Sequence, residues 1–110
     1  MAENKDYMTR ELEDGSLNIS EDVLVTIALA AANDVEGVVS LKNDRKGVRV
    51  TLNEDDVELD CALVVLYGHS VVEIARNVQN AVTNAVESMT GLKVARVDVN
   101  VCGISMGKAG

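Results

Sequence analysis

The chain has 110 residues, a formal net charge of −8, 47% hydrophobic residues, two Tyr, two Cys and no Phe, Trp or Pro. That length supports one core rather than two, and Val, Leu, Ile and Ala have to build it. The acidic balance sets aside nucleic acid, whose phosphates demand a basic footprint, and direct insertion into an anionic membrane surface. The charge is unevenly placed, with −3 on the N-terminal arm and −5 on 54–60, so the rest of the chain is balanced. No apolar run reaches membrane-spanning length and no secretory h-region opens the chain. The expected location is therefore cytoplasmic, with any approach to the inner face of the membrane running through a partner.

Residues 1–14 are polar and read as a mobile acidic arm. Leu17 and Ile19 suggest a short strand after Gly15. Ser20 then caps a helix with Glu21 and Asp22 in its first turn, where negative charge suits the helix dipole. Val23, Leu24, Ile27, Ala28 and Ala31 form its apolar stripe, and Asn33 with Gly37 ends it. Val38–Leu41 is a strand, Asn43–Gly47 a polar loop, and Val48, Val50 and Leu52 alternate in the next strand.

A turn at Asn53–Asp56 leads into the longest strand, expected over 57–67. Val57, Leu59, Cys61, Leu63, Val65 and Tyr67 share one face. The other face starts polar with Glu58 and Asp60 and becomes apolar with Ala62, Val64 and Leu66. A strand apolar on both faces is covered twice.

Ser70 with Glu73 predicts a capping box, opening a long helix whose stripe is Val71, Ile74, Ala75, Val78, Ala81, Val82, Ala85, Val86 and Met89. Its other face, Glu73, Arg76, Asn77, Asn80, Thr83, Asn84 and Glu87, is exposed and rich in amides. Gly91 supplies the C-cap. Val97, Val99 and Val101 then alternate with polar residues in a strand that should run parallel to 57–67, because a helical crossover joins them. Residues 105–110 read as a flexible tail. The expected fold is α+β, a single domain over 15–104 with a mixed sheet and two helices in the order β-α-β-β-β-α-β.

Strand parity in a parallel pair puts Cys102 and Ile104 at the same end and on the same face as Val64 and Leu66. With Ala62 these residues form a candidate interface. Either the 20–32 helix covers that end or another subunit does.

Few residues suggest chemistry. Parity sends Cys61 and Cys102 to opposite faces, the wrong geometry for a bridge, and neither has an evident activating base. The turn Gly68, His69 and Ser70 precedes a helix and is a weak candidate anion site, without a glycine-rich fingerprint or phosphate-binding lysine. The carboxylates of 54–60 lack the calcium-loop pattern, and no zinc spacing exists. No catalytic residue, metal ligand or cofactor site is expected.

The ordered motifs are informative where the chemistry is not. They are Gly15-Ser16-Leu17-Asn18-Ile19-Ser20, Val35-Glu36-Gly37-Val38, Gly47-Val48-Arg49-Val50, Val64-Val65-Leu66-Tyr67-Gly68, Val78-Gln79, Val86-Glu87-Ser88-Met89-Thr90-Gly91 and Val97-Asp98-Val99-Asn100-Val101-Cys102-Gly103-Ile104. Over 15–104 the chain resembles the alkaline shock protein family of Gram-positive bacteria, also called the envelope stress response family. The resemblance implies a non-enzymatic α+β protein acting by association in cell-envelope homeostasis. It implies a homo-oligomer, and an integral membrane anchor protein as partner in some members. Other members are connected with lipid metabolism, which leaves a regulator binding a small anionic metabolite as the alternative.

Overall fold

The computed structural model describes residues 7–41 and 47–106, so nearly all of the polar loop expected at Asn43–Gly47 and most of the expected tail lie outside the described residues. The element order is β1 (Tyr7–Leu12), β2 (Gly15–Ser20), α1 (Glu21–Asn33), β3 (Val38–Leu41), β4 (Val48–Leu52), β5 (Asp56–Leu66), α2 (Val71–Thr90) and β6 (Lys93–Ser105). The fold is α+β, as the strand and helix pattern predicts.

β5 is the organising strand, because β3, β4 and β6 all pair with it. β6 lies parallel to it from Asp56↔Lys93 to Leu66↔Ser105. Antiparallel β4 takes the other edge over Val57–Cys61 and antiparallel β3 over Leu63–Val65. Burial along β5 alternates without a slip. Val57, Leu59, Cys61, Leu63 and Val65 are fully buried, and the residues between them are half-exposed.

Both helices cover that buried face. Leu24, Ile27, Ala28 and Ala32 of α1 and Ile74, Val78, Val82 and Val86 of α2 share one core cluster with it. Burying each such aliphatic side chain is worth about 1.5–3 kcal/mol. α1 packs on β3 and β4, while α2 packs on β6 and α1. The first alternative for the apolar sheet end is thereby overturned. The 20–32 helix sits on the opposite face from Val64 and Leu66, because its stripe is needed over Leu63 and Val48.

Each helix begins on a serine. Ser20 Oγ accepts from the Val23 amide at 3.4 Å and Ser70 Oγ from the Glu73 amide at 3.2 Å. Gly91 ends α2 in the left-handed conformation at φ 77°. The last core position of α2 is Thr90, four residues after Val86, and not Met89, which is 70% exposed. Thr90 enters the core with its hydroxyl satisfied, donating to the Val86 carbonyl at 2.6 Å and accepting from the Leu92 amide at 3.1 Å.

The acidic arm expected over 1–14 contains a strand. Over 7–12 it pairs antiparallel with β2, from Tyr7↔Ser20 to Leu12↔Gly15. Alternation puts Met8, Arg10 and Leu12 on one face. Met8 and Ile19 are buried in the core, and Arg10 Nη1 donates to the Gly91 carbonyl at 2.9 Å. The charges at Arg10 and Glu11 mask this period of two in the sequence.

Candidate functional site

The sheet has one covered face and one open face, and the open face has two zones. Its lower zone, towards the start of β5, is charged and internally paired. Arg96 Nε and Nη2 donate to Asp98 Oδ2 at 3.2 and 2.9 Å, and the Asn100 amide donates to Asp60 Oδ1 at 2.6 Å. The bond to Asp98, its charge and that of Glu58 hold the Arg96 guanidinium pKa above its ordinary value. The Asn53 side chain ties down the adjoining turn, donating to Asp56 Oδ1 at 2.7 Å and Glu58 Oε2 at 3.2 Å. Among the described residues no group of His, Cys, Asp and Glu is arranged to hold a metal ion.

The upper zone is apolar. Ala62, Val64 and Leu66 project from the middle strand, half-exposed. Val64 stands opposite Gly103 and Leu66 opposite Ser105. Small neighbours leave the valine and leucine standing above the surface, since a Cβ added at Gly103 would only touch Val64 Cγ2 at 3.9 Å.

The other two candidates are placed differently. The β5–β6 register shifts between Val57/Glu58 and between Leu63/Val64, so Ala95 and Cys102 are the extra residues of two bulges. The second bulge reverses the parity of everything after it. Ile104 pairs with Val65, not with Val64 or Leu66, and is therefore on the helix-side face, yet 56% exposed because it lies beyond the helix layer. Cys102 sits in the bulge itself, exposed, with Sγ 3.8 Å from the Asn100 carbonyl. A strict alternation read from the sequence misses this, and the glycine after Cys102 is its one local signal.

Two large exposed side chains missed by sequence reasoning complete this end of the molecule: Tyr67, at 64%, and Met106, at 71%. The Tyr67 amide donates to the Ser105 carbonyl at 2.8 Å, which brings the two chain segments together. The available signal was the charge pattern. Cys61–Val72 contains His69 as its one titratable side chain apart from Cys61 and Tyr67, and Val99–Met106 contains none apart from Cys102.

The remaining edge of β6 is guarded by α2. Gln79 Nε2 donates to the Val97 carbonyl at 3.0 Å, and Glu87 Oε2 accepts from the Val94 amide at 2.9 Å. Glu87, from the amide-rich helix face, and Gln79 beside it thus occupy backbone groups that another strand would use.

The turn at Gly68, His69 and Ser70 is exposed, with Gly68 at φ 99°. It borders a hollow of about 160 Å³ lined by Glu36, His69, Ser70, Glu73, Ile74 and Asn77. Two carboxylates beside the turn oppose an anion there. The two cysteines are free thiols. Cys61 is fully buried, and burial, reinforced by the Asp60 charge, pushes its thiol up to about 12. Its thiolate is suppressed in the native fold.

Among the described residues no helix is long and apolar enough to cross a membrane. In fold, the chain is similar to a solved variant of the MamM CTD, with a TM-score of 0.54 and 19% identity, covering 76% of this chain and 94% of that one. In sequence it is similar to the uncharacterized protein YqhY of Bacillus subtilis (strain 168), 29% identical over 104 residues, 82% of this chain and 77% of the relative. It is also 33% identical over 102 residues to the uncharacterized protein Spy1535 of Streptococcus pyogenes serotype M6, covering 82% and 79% of the two chains. Residues 9–106 match the model of the alkaline shock protein family, whose function is cell envelope-related, and the chain belongs to that family, as its ordered motifs led us to expect.

Proposed function

We propose that this protein is a non-enzymatic interaction protein of cell-envelope homeostasis, acting by self-association and by binding a protein partner through the upper zone of its open sheet face. The observation that carries this reading is the asymmetry of β5. Its covered face uses both helices, while its other face turns apolar at Ala62, Val64 and Leu66, which are half-exposed and outside the core cluster that both helices share. An apolar centre with a charged, internally paired border is the anatomy of a protein–protein contact. On this reading the protein works on the cytoplasmic side, and a membrane-anchored partner brings it to the inner face of the membrane.

The test is Leu66→Asp. Because Leu66 lies outside the buried face, circular dichroism should remain that of the parent. Self-association, or partner recovery from native cells including the membrane fraction, should fall at least tenfold, about 1.4 kcal/mol of contact energy. Unchanged mass and unchanged recovery with an intact fold would remove the open face from the mechanism.

A further inference from the structure

Net charge constrains how a chain carrying −8 can meet its own copy. Glu54, Asp55, Asp56, Glu58 and Asp60 cluster around the start of β5 and outnumber Lys93, Arg96 and Arg49, which stand opposite Asp56, Glu58 and Asp60, so two copies meeting there bring net negative charge together. The opposite end of β5 lies about 33 Å away, ten steps of roughly 3.3 Å each. Leu66, Tyr67, Ile104 and Met106 converge there from the ends of β5 and β6, joined by the Tyr67–Ser105 hydrogen bond and the Val65↔Ile104 pairing. Tyr67, Ile104 and Met106 are more than half exposed. On the helix side the rim of this end holds Glu36, Glu73 and Arg76, none with an ion-pair partner among the described residues. Both signs are thus available to pair across a symmetry axis.

We infer that this end is where two copies of the chain meet, end to end about a two-fold axis, with their acidic ends pointing apart. The inference rests on the self-association reading above and fixes its geometry. Stacking the two open faces fully would bury the charged zone either against its own copy, where Glu58, Asp60 and Asp98 outnumber Arg49 and Arg96, or against Val64 and Leu66. Meeting at the apolar end avoids both. It separates the two acidic clusters by roughly twice the length of β5, far beyond the screening length of about 8 Å at physiological salt. An isologous contact also needs only one self-complementary patch.

The experiment uses the full chain, with mass measured by light scattering across protein concentration. The parent should be a dimer, and Tyr67→Glu and Ile104→Asp, both at exposed positions, should each be monomers with unchanged circular dichroism. Dimer mass should persist from 10 mM to 500 mM salt, whereas a contact that juxtaposed the acidic ends would strengthen steeply with salt. A short bismaleimide should join the dimer of a Met106→Cys, Cys102→Ser variant, whose thiols lie at the meeting ends, whereas Cys102 itself sits about 13 Å back along β6. In a Glu54→Cys, Cys102→Ser variant it should not. A dimer untouched by both substitutions, or cross-linked through position 54, would overturn the end-to-end geometry while leaving self-association standing. A parent monomeric at high concentration, yet losing partner recovery on Leu66→Asp, would overturn the inference and redirect the patch to a foreign partner. Loss of neither property on Leu66→Asp would instead defeat the underlying reading.

Discussion

Gly37 shows how tightly one residue can be specified. Its carbonyl accepts from the Leu66 amide at 2.8 Å, and its φ is 95°. A Cβ there would stand 2.7 Å from Ile74 Cδ1 and 3.3 Å from His69 Cδ2. Gly37→Ala should therefore cost about 1–3 kcal/mol from backbone strain and crowding together, measurable by denaturant unfolding. A change below about 0.5 kcal/mol, the size of an ordinary surface substitution, would mean that α2 shifts freely at its first turn. Cys61 makes a pH-dependent contribution. Its thiol stays protonated in the fold to about 12 against an ordinary 9.0. Above pH 9 the unfolded chain releases this proton and the native state does not, so this stability is complete below 9 and is lost as pH rises towards 12. The parent should lose stability over that window more steeply than Cys61→Val. Parallel curves for the two proteins would count against a buried neutral thiol.

At the scale of elements, α2 does more than its stripe announces. Val78, Val82 and Val86 were legible from spacing alone and all are fully buried. Glu87 was legible only as an exposed polar residue and Gln79 only as part of a motif, because their roles depend on where β6 lies. Losing both side chains should cost about 1–3 kcal/mol and should speed hydrogen exchange at the Val94 amide. Amides bonded to β5 should keep their protection in the Gln79→Ala, Glu87→Ala variant. Equal exchange at Val94 before and after would show that the edge is satisfied some other way. The same dependence on a partner hid β1. A two-stranded ribbon has a weak signal of its own, and Met8 reads as a core residue only once α1 and β2 are in place.

For the whole molecule, the strand and helix pattern carried most of the architecture: the parallel β5–β6 crossover, both caps and the two-zoned face. The candidate surface was read less completely. Ala62, Val64 and Leu66 follow from simple alternation. Ile104 does not, because one extra residue at Cys102 turns it to the other side of the sheet, and a bulge is set by how two strands fit, not by either one alone. Tyr67 and Met106 were passed over because apolar residues at element ends look like core until the layer covering them is seen to stop short.

The central place of β5 also has a consequence in time. Synthesis delivers β4 and β5 as neighbours, so their hairpin can form as soon as both have left the ribosome. The strand that closes the other edge over its full length begins only at Lys93, beyond all of α2. Parallel pairing across such a separation forms slowly, because the loop must close before any contact rewards it. Each newly made chain therefore passes through an interval with β5 open along one side and its valines unshielded, and that interval is when the protein most needs protection from other nascent chains.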